Sequence, residues 1–327
     1  MIEVNLGRRS HSPPLVFCER IITIDISTNQ EQWVGVSFAL LAAIGFSAKA
    51  ILVKLAYLDT VDAVTLMALR MVFSVPFFMV VAWWVQGNHG EPLERQDWIA
   101  VLGLGVTGYY LASLLDFLGL QYISAGLERL ILFLYPTMTV LLTALVYRVA
   151  ISRKVMAAMA LSYAGIALVF LRDVGTNRGN VGLGATLVFG STLSYAVYLV
   201  GAGHTIMRIG ATRFTAYAMI VASAITLFQF GVTHPVTALD LPLRVYGLAI
   251  AMAIFCTVLP VFLLSAGIRR IGSGKASLIG AIGPVTTIYL AQLFLNERVS
   301  LLQLVGSLLV LVGVLIIGVD RQGLVKK

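Results

Sequence analysis

The sequence predicts an all-α polytopic membrane protein whose ten transmembrane helices form two inverted five-helix repeats. Three observations lead to this prediction. The composition is 59% hydrophobic and only 12% charged, whereas soluble domains carry about 25% charged residues. Apolar runs of about 20 residues, long enough to cross a bilayer as helices, recur along the chain. Finally, the chain matches itself, and the charges of its loops change sides between the two matching copies.

The apolar runs predict the bounds of the spans, which are residues 33–54, 61–86, 98–118, 122–147, 153–171, 182–203, 211–231, 245–266, 272–295 and 300–319. Residues 1–32 contain paired arginines, paired prolines and no uninterrupted apolar stretch. We therefore expect them to form a disordered cytoplasmic N-terminal tail. Residues 320–327 are expected to form a basic cytoplasmic tail.

The distribution of Lys and Arg predicts the orientation of these spans. Most of the Lys and Arg residues lie on the same side of the membrane as the N-terminus, for example Arg8, Arg9, Arg95, Arg148, Arg153, Lys154, Arg208, Arg213, Arg269 and Arg270. The opposite side holds only Lys54, Arg172, Arg178, Arg244 and Arg298. Because cytoplasmic loops carry an excess of basic residues, both termini are expected in the cytoplasm. The net charge of +8 is thus explained by topology, and no nucleic-acid partner is expected.

The internal repeat has a fixed interval of 148 residues, the distance from Gly119 to Gly267, and it aligns residues 119–170 with 267–318 without a gap. The aligned pairs include Gly126/Gly274, Pro136/Pro284, Ser152/Ser300 and Gly165/Gly313. Two copies, 33–172 and 182–319, would each contain five spans. An odd number of spans turns the second copy over in the membrane. The loops agree, since residues 120–124 are uncharged and residues 268–272 are basic.

Pro136 and Pro284 lie at equivalent depths in the fourth and ninth spans. Each lacks an N–H and would free a carbonyl one turn earlier, at Leu132 and Gly280. Such a break either lines a polar cavity or is a packing kink. Inverted repeats with broken helices are a recurring design of secondary transporters.

Charged residues within the spans are candidates for function because burying charge in a membrane is costly. They are Lys49, Arg70, Asp116, Glu128 and Arg129, all in the outer half of the first repeat. In the second repeat Leu264, Ala276 and Ser277 replace the last three. Glu128 and Arg129 diverge by about 100° on a helix and cannot point at one spot.

Two interpretations of these charges remain open. In the first, Arg70 or Arg129 pairs with Asp116 or Glu128 to fix helix packing, while Lys49 and Asp116 extend to the interface. In the second, the charges form a substrate site or an outer gate, with one acid able to accept a proton. Three bases against two acids would then leave a positive charge for a substrate carboxylate or phosphate.

Other residues have both a binding and a packing interpretation. Tyr195 and Tyr198 in the sixth span would contact substrate or pack in the core. Small residues recur at helical spacing in spans five and ten, at Ala158, Gly165, Gly306 and Gly313. They indicate either an internal scaffold or a homodimer contact.

Enzyme and nucleotide-binding motifs are not found in the sequence. H-E-x-x-H, G-x-S-x-G and metal-ligand clusters are absent, so no enzyme activity, cofactor or metal is expected. Residues 272–276 resemble a phosphate loop but end in Ala276, and we interpret them as a tight turn and helix start. The expected partners are a small-molecule substrate and the lipid bilayer.

From residue 33 to 319 the chain resembles the EamA-type branch of the drug/metabolite transporter superfamily. The resemblance rests on the paired prolines, on residues 295–298 followed by Ser300, and on residues 116–123 continuing through Arg129. It implies a secondary transporter that exports a small metabolite, such as an amino acid or related compound, across the inner membrane by alternating access. The alternatives are a drug efflux carrier, a channel, or a lipid-acting enzyme or assembly factor.

Overall fold

The computed structural model describes residues 15–88, 93–148, 150–176, 179–297 and 299–324. In these ranges the chain forms helices joined by short turns. The helices are α1 (Leu15–Tyr57), α2 (Ala63–Asn88), α3 (Arg95–Gly105), α4 (Ala112–Leu120), α5 (Ala125–Leu132), α6 (Tyr135–Tyr147), α7 (Arg153–Thr176), α8 (Val181–Ile209), α9 (Ala211–Thr233), α10 (Leu243–Ala253), α11 (Leu259–Gly280), α12 (Ile282–Leu295) and α13 (Leu301–Leu324). Two π-helical turns, Val106–Leu111 and Ile254–Val258, connect α3 to α4 and α10 to α11.

Ten helical segments in the described part of the chain are long and apolar enough to cross a membrane. They are Glu31–Tyr57, Ala63–Gln86, Arg95–Leu120, Ala125–Tyr147, Arg153–Gly175, Val181–Gly203, Ala211–Thr233, Leu243–Gly272, Leu278–Leu295 and Leu301–Gly318. Each overlaps one predicted span, so the prediction of an all-helical, ten-span protein is confirmed. The eighth segment is longer than predicted because the helix continues through a kink at Gly272.

The expectation of a disordered tail over residues 1–32 is wrong for its second half, because α1 begins at Leu15. Residues 15–32 contain no proline or glycine that would stop a helix after Pro13 and Pro14. Residues 1–14 lie outside the described part of the chain. At the other end α13 extends to Leu324, and residues 325–327 of the basic tail lie outside the description.

The helix boundaries repeat at the interval found in the sequence. Helix α3 begins at Arg95 and α10 at Leu243, and the two π-helical turns begin at Val106 and Ile254. The residues that end α6 and α12 in a left-handed conformation, Arg148 and Asn296, both have φ of 53°. The correspondence therefore extends from the sequence to the backbone.

The repeats pack into each other most extensively along four helix pairs: α1 with α11, α2 with α9, α4 with α8, and α7 with α13. The small residues of spans five and ten meet in the last pair. A Cβ added at Gly165 would lie 2.5 Å from the carbonyl oxygen of Gly306, and the converse distance is also 2.5 Å. These glycines allow α7 and α13 of the same chain to pack closely, in agreement with the scaffold interpretation.

Candidate functional site

A cavity of about 520 Å³ lies between the two repeats. Among the predicted site residues, six line its wall: Lys49, Arg70, Asp116, Arg129, Tyr195 and Tyr198. The seventh, Glu128, lies behind the wall and is completely buried (0% exposed). Helix packing thus brings together residues that lie far apart in the sequence.

The buried acids share one lysine. Lys49 Nζ lies 2.5 Å from Asp116 Oδ2 and 3.6 Å from Glu128 Oε1. The ion pair of the sequence analysis therefore forms, but with Lys49 rather than with Arg70 or Arg129 as its base. Lys49 and Asp116 also remain inside the bundle rather than extending to the interface. Helix α1 packs on both α4 and α5, and this position puts the lysine ammonium between the two carboxylates.

The two arginines are held by apolar and backbone contacts. The Arg70 guanidinium carbon lies 4.9 Å from the centre of the Phe117 ring, a favourable position for a cation. Arg129 packs against Gly283 at the start of α12, where an added Cβ would lie 2.9 Å from Arg129 Nη2. Glu128 and Arg129 point in different directions, as the helical geometry predicts: the acid toward Lys49 and the arginine toward the cavity.

Four tyrosines form an aromatic cluster on the cavity wall. The rings of Tyr195 and Tyr198 stack with centroids 5.4 Å apart, and Tyr135 meets Tyr195 edge to face at 5.6 Å. The hydroxyls of Tyr109 and Tyr198 are 3.1 Å apart. Packing and cavity lining, which the sequence analysis treated as alternatives for Tyr195 and Tyr198, therefore occur together.

The breaks expected at Pro136 and Pro284 are present and border the cavity. Helix α5 ends at Leu132 and α11 at Gly280, and each proline lies in the first turn of the helix that follows. Leu132 and Gly280, whose carbonyls the prolines free, both line the cavity. The structure thus places both breaks at the cavity wall.

The cavity is closed at one end and reaches the opposite end of the bundle. At the closed end the Tyr57 hydroxyl donates to the Phe117 carbonyl at 2.7 Å, and Leu120 is completely buried. The lining extends the other way to Ile206 and to Ile268. Because α4 packs on the start of α8, Ile206 lies roughly 30 Å along α8 from the closed end, at about 1.5 Å per residue.

Two further carboxylates accept hydrogen bonds from backbone amides at the closed end. Asp173 Oδ2 accepts from the Ser124 amide at 3.0 Å, and Glu297 Oε1 accepts from the Ala125 amide at 3.3 Å. Both therefore satisfy amides at the positive N-terminal end of α5. The sequence analysis missed Asp173 because it follows Arg172 at the end of a span and resembles an ordinary loop charge. Glu297 appeared there only within the family resemblance, without a structural role.

The described residues contain no group of three His, Cys, Asp or Glu side chains placed to hold a metal ion. The site's chemistry is that of a partly polar binding chamber: three cations, one lining carboxylate, one carboxylate behind it, and an aromatic wall. Such a chamber can bind and orient a small molecule.

Comparison with known proteins agrees with this architecture. The uncharacterized transporter YcbK of Bacillus subtilis (strain 168) is 32% identical over 287 residues, which cover 85% of this chain and 90% of that protein. The uncharacterized transporter YyaM of the same organism is 26% identical over 225 residues, covering 68% and 73%. One solved crystal structure, only 17% identical, superposes with a TM-score of 0.62 over 89% of this chain and 98% of its own, which supports the fold alone.

The model of the EamA-like transporter family matches residues 33–171 and again residues 182–319. These two matches coincide with the two five-span halves of the structure, and the names of the relatives indicate a membrane transporter rather than an enzyme. The chain therefore belongs to the EamA-like transporter family.

Proposed function

We propose that the protein is a secondary transporter that works by alternating access and exports a small metabolite, such as an amino acid or related compound. The observation that supports this most directly is the unequal accessibility of the cavity. The same chamber is closed beyond Lys49 and Asp116, where Phe117 and Leu120 are completely buried, and its lining extends to Ile206 and Ile268 near the far end of the bundle. An alternating-access carrier needs a state of this kind.

The repeats supply a route to the opposite state. In an inverted arrangement the second repeat is related to the first by an approximate two-fold rotation about an axis in the membrane plane. The helix contacts that close one end of the cavity therefore have equivalents that can close the other end. The helix breaks before Pro136 and before Pro284 border the cavity and interrupt the fourth and ninth spans. They are the places where half-helices would tilt.

The charges assign an orientation to the cavity, and export is the direction that the family resemblance implies. Arg208, Arg269 and Arg270 lie near the end that the cavity reaches, and basic residues mark the cytoplasmic face. We therefore assign the sealed end to the outer face of the inner membrane and both termini to the cytoplasm. Cargo would enter the chamber from the cell interior.

Transport is tested by counterflow in liposomes that contain the purified chain. Vesicles loaded with one unlabelled compound from a metabolite panel should accumulate the same labelled compound transiently, with a saturable rate. Flux without saturation and without counterflow would indicate a channel. Failure of every panel compound to exceed protein-free vesicles would contradict the proposal.

Alternating access itself is tested by thiol labelling in a background with Cys18 and Cys256 changed to Ser. Leu120→Cys reports on the sealed end, and Ser265→Cys on the cavity wall toward the open end. A membrane-impermeant thiol reagent applied from each side should label the two positions reciprocally as a transported compound is added. If labelling of both positions rises and falls together, the mechanism is wrong.

A further inference from the structure

We propose that the cargo is an organic acid with a net negative charge and an apolar, ring-sized body, and that Arg70 and Arg129 bind its carboxylate. This inference rests on the proposed transport function and specifies its substrate class. It depends on two guanidinium groups that have no carboxylate within 4.0 Å in the described residues, and on an aromatic wall that lines the same cavity.

Arg70 is a buried cation with unused hydrogen-bond donors. Its residue is only 5% exposed, and both Nε and Nη2 are buried without a hydrogen-bond partner. Within the described residues no carboxylate oxygen lies within 4.0 Å of its guanidinium group. Asp116 acts on it only at longer range, and its guanidinium carbon lies 4.9 Å from the centre of the Phe117 ring. Burying donors of a charged group without partners costs free energy, and an anion in the cavity would remove that cost.

Arg129 presents a second such group on the same wall. Its Nε is buried without a hydrogen-bond partner, and no carboxylate of the described chain lies within 4.0 Å of its guanidinium. The group can reach the wall because position 283 is glycine. A side chain there would begin 2.9 Å from Nη2 and 3.4 Å from Nε. Guanidinium groups suit carboxylates because their donors match two oxygens at once.

Both acids of the site already share the Lys49 ammonium, although Asp116 Oδ1 and both Glu128 carboxylate oxygens lack a hydrogen-bond partner. Asp116 is bound to Lys49 at 2.5 Å, and Glu128 lies 3.6 Å from the same ammonium, behind the wall. With all five groups ionised the site carries three positive and two negative charges. One carboxylate from the cargo would neutralise the excess, whereas an ammonium would add to it. The charges therefore favour an anion over a zwitterion and a zwitterion over a cation.

The tyrosine cluster indicates what the rest of the cargo looks like. Tyr135, Tyr195 and Tyr198 line the chamber, and Tyr195 contacts the rings of the other two. Such surfaces pack well against an apolar or aromatic group. A cavity of about 520 Å³ also lies in the range that accommodates small organic molecules.

The charge preference is tested with four compounds that share one phenyl-containing body: 3-phenylpropanoate, L-phenylalanine, 3-phenylpropanol and phenethylammonium. Binding to the purified protein in detergent is measured by calorimetry at neutral pH. We expect saturable binding of 3-phenylpropanoate, weaker binding of L-phenylalanine, and at least ~10-fold weaker binding of the alcohol and the ammonium, the loss of about one charged hydrogen bond. Equal or stronger binding of the ammonium, or no binding of the acid, would overturn the proposal.

Variants locate the binding groups. Arg70→Gln and Arg129→Gln should each weaken 3-phenylpropanoate binding by ~10-fold or more and leave binding of 3-phenylpropanol unchanged. Arg70→Lys and Arg129→Lys should restore part of the preference for the acid, because they keep the charge but lose the two-pronged geometry. The matched control is Arg208→Gln, since Arg208 pairs with Glu94 and Asp97 outside the cavity. Elution volume and thermal unfolding confirm that each variant is folded.

Counterflow of the same compounds separates this inference from the proposed function. Counterflow of the alcohol or the ammonium but not of the acid would overturn the substrate class and leave the transport function intact. Saturable binding of the acid without counterflow of any compound would contradict the transport function instead. Unchanged acid binding in both glutamine variants would show that the arginines are not the binding groups.

Discussion

The two repeats begin two pairs of equivalent helices, α2 and α9, and α5 and the part of α11 after Gly272, with different chemistry. In the first repeat, Asp62 Oδ1 accepts from the amides of Val64 and Thr65, each at 2.9 Å, at the start of α2. Ser124 Oγ likewise accepts from the Leu127 amide at 3.2 Å at the start of α5. Side chains of the first repeat thus satisfy the exposed amides of its helix starts.

The second repeat has glycine at both equivalent positions, one repeat interval later. Gly210 precedes α9 with φ of 85°, and Gly272 kinks α11 with φ of 79°. With ψ of 144° and 158° these glycines adopt a conformation that other residues avoid. For these two pairs of helix starts the difference follows the two ends of the cavity: Asp62 and Ser124 cap helices at the sealed end, whereas the glycines lie near Ile206 and Ile268 at the open end. We infer that the ends differ in the cost of rearrangement.

The largest effect is expected when a buried charge of the first repeat is replaced by its counterpart. Asp116→Leu, which introduces the residue type of position 264, leaves Lys49 with only the more distant Glu128. The free energy of unfolding should fall by about 3–5 kcal/mol, the cost of breaking a buried pair, as measured by denaturant titration in detergent. Lys49→Met combined with Asp116→Leu should cost less than the two single changes added together. A loss under about 1 kcal/mol for Asp116→Leu would mean that the pair does not hold the sealed end.

An intermediate effect is expected at the glycines of the second repeat. Gly210→Ala and Gly272→Ala should each lower the free energy of unfolding by about 1–3 kcal/mol through backbone strain alone, because no atom lies within 4 Å of an added Cβ. Gly247→Ala is the matched control: it lies within α10, also has free space, and should be neutral or stabilising by up to about 1 kcal/mol. If all three variants changed the free energy of unfolding by the same amount, the positive φ of Gly210 and Gly272 would carry no extra cost. The proposed contrast between the two ends of the cavity would then be lost.

A smaller effect is expected when a cap of the first repeat is removed. Asp62→Ala should lower the free energy of unfolding by about 1 kcal/mol at neutral pH. Burial raises the pKa of Asp62, but hydrogen bonds from Thr65 and Val64 and the nearby His234 outweigh it, so its pKa lies below the ordinary value. The stabilisation is therefore present at neutral pH and lost as the pH falls through the folded-state pKa. Thermal unfolding in an acid series should show the two proteins converging; a constant gap would argue against capping.

The smallest effect is expected at Glu297, which lies between the last two spans. Burial raises the pKa of its carboxyl group above the ordinary value, although the Ala125 amide opposes this. In the folded state the ionised form is therefore penalised, so wild type should lose stability relative to Glu297→Gln as the pH rises from the ordinary pKa toward the raised one. Parallel unfolding midpoints for the two proteins across this window would show that the carboxylate is solvated.

Local features of the sequence were sufficient for the spans and their interruptions. Apolar run length fixes the number of spans, and Pro136 and Pro284 stop the preceding helices whatever surrounds them. The partner of Lys49 was not predictable in the same way, because it depends on how α1 is rotated about its axis. That rotation is set by contacts such as Gly45 against Pro260, where an added Cβ would lie 2.6 Å from the proline ring. The role of Asp173 was not predictable for a similar reason, because its carboxylate accepts from the amide of Ser124, which lies 49 residues earlier in the chain.

The π-helical turns at Val106–Leu111 and Ile254–Val258 have a consequence for which side chains face the chamber. A π turn accommodates one more residue than an α turn, so everything after it is rotated by about 100° relative to an uninterrupted helix. Asp116 follows the first turn and Leu264 the second, and both line the cavity. Deleting one residue within either turn would put the helix back in phase and swing these side chains away from the chamber. The additional residue, present in both copies, thus determines which face of the helix lines the cavity.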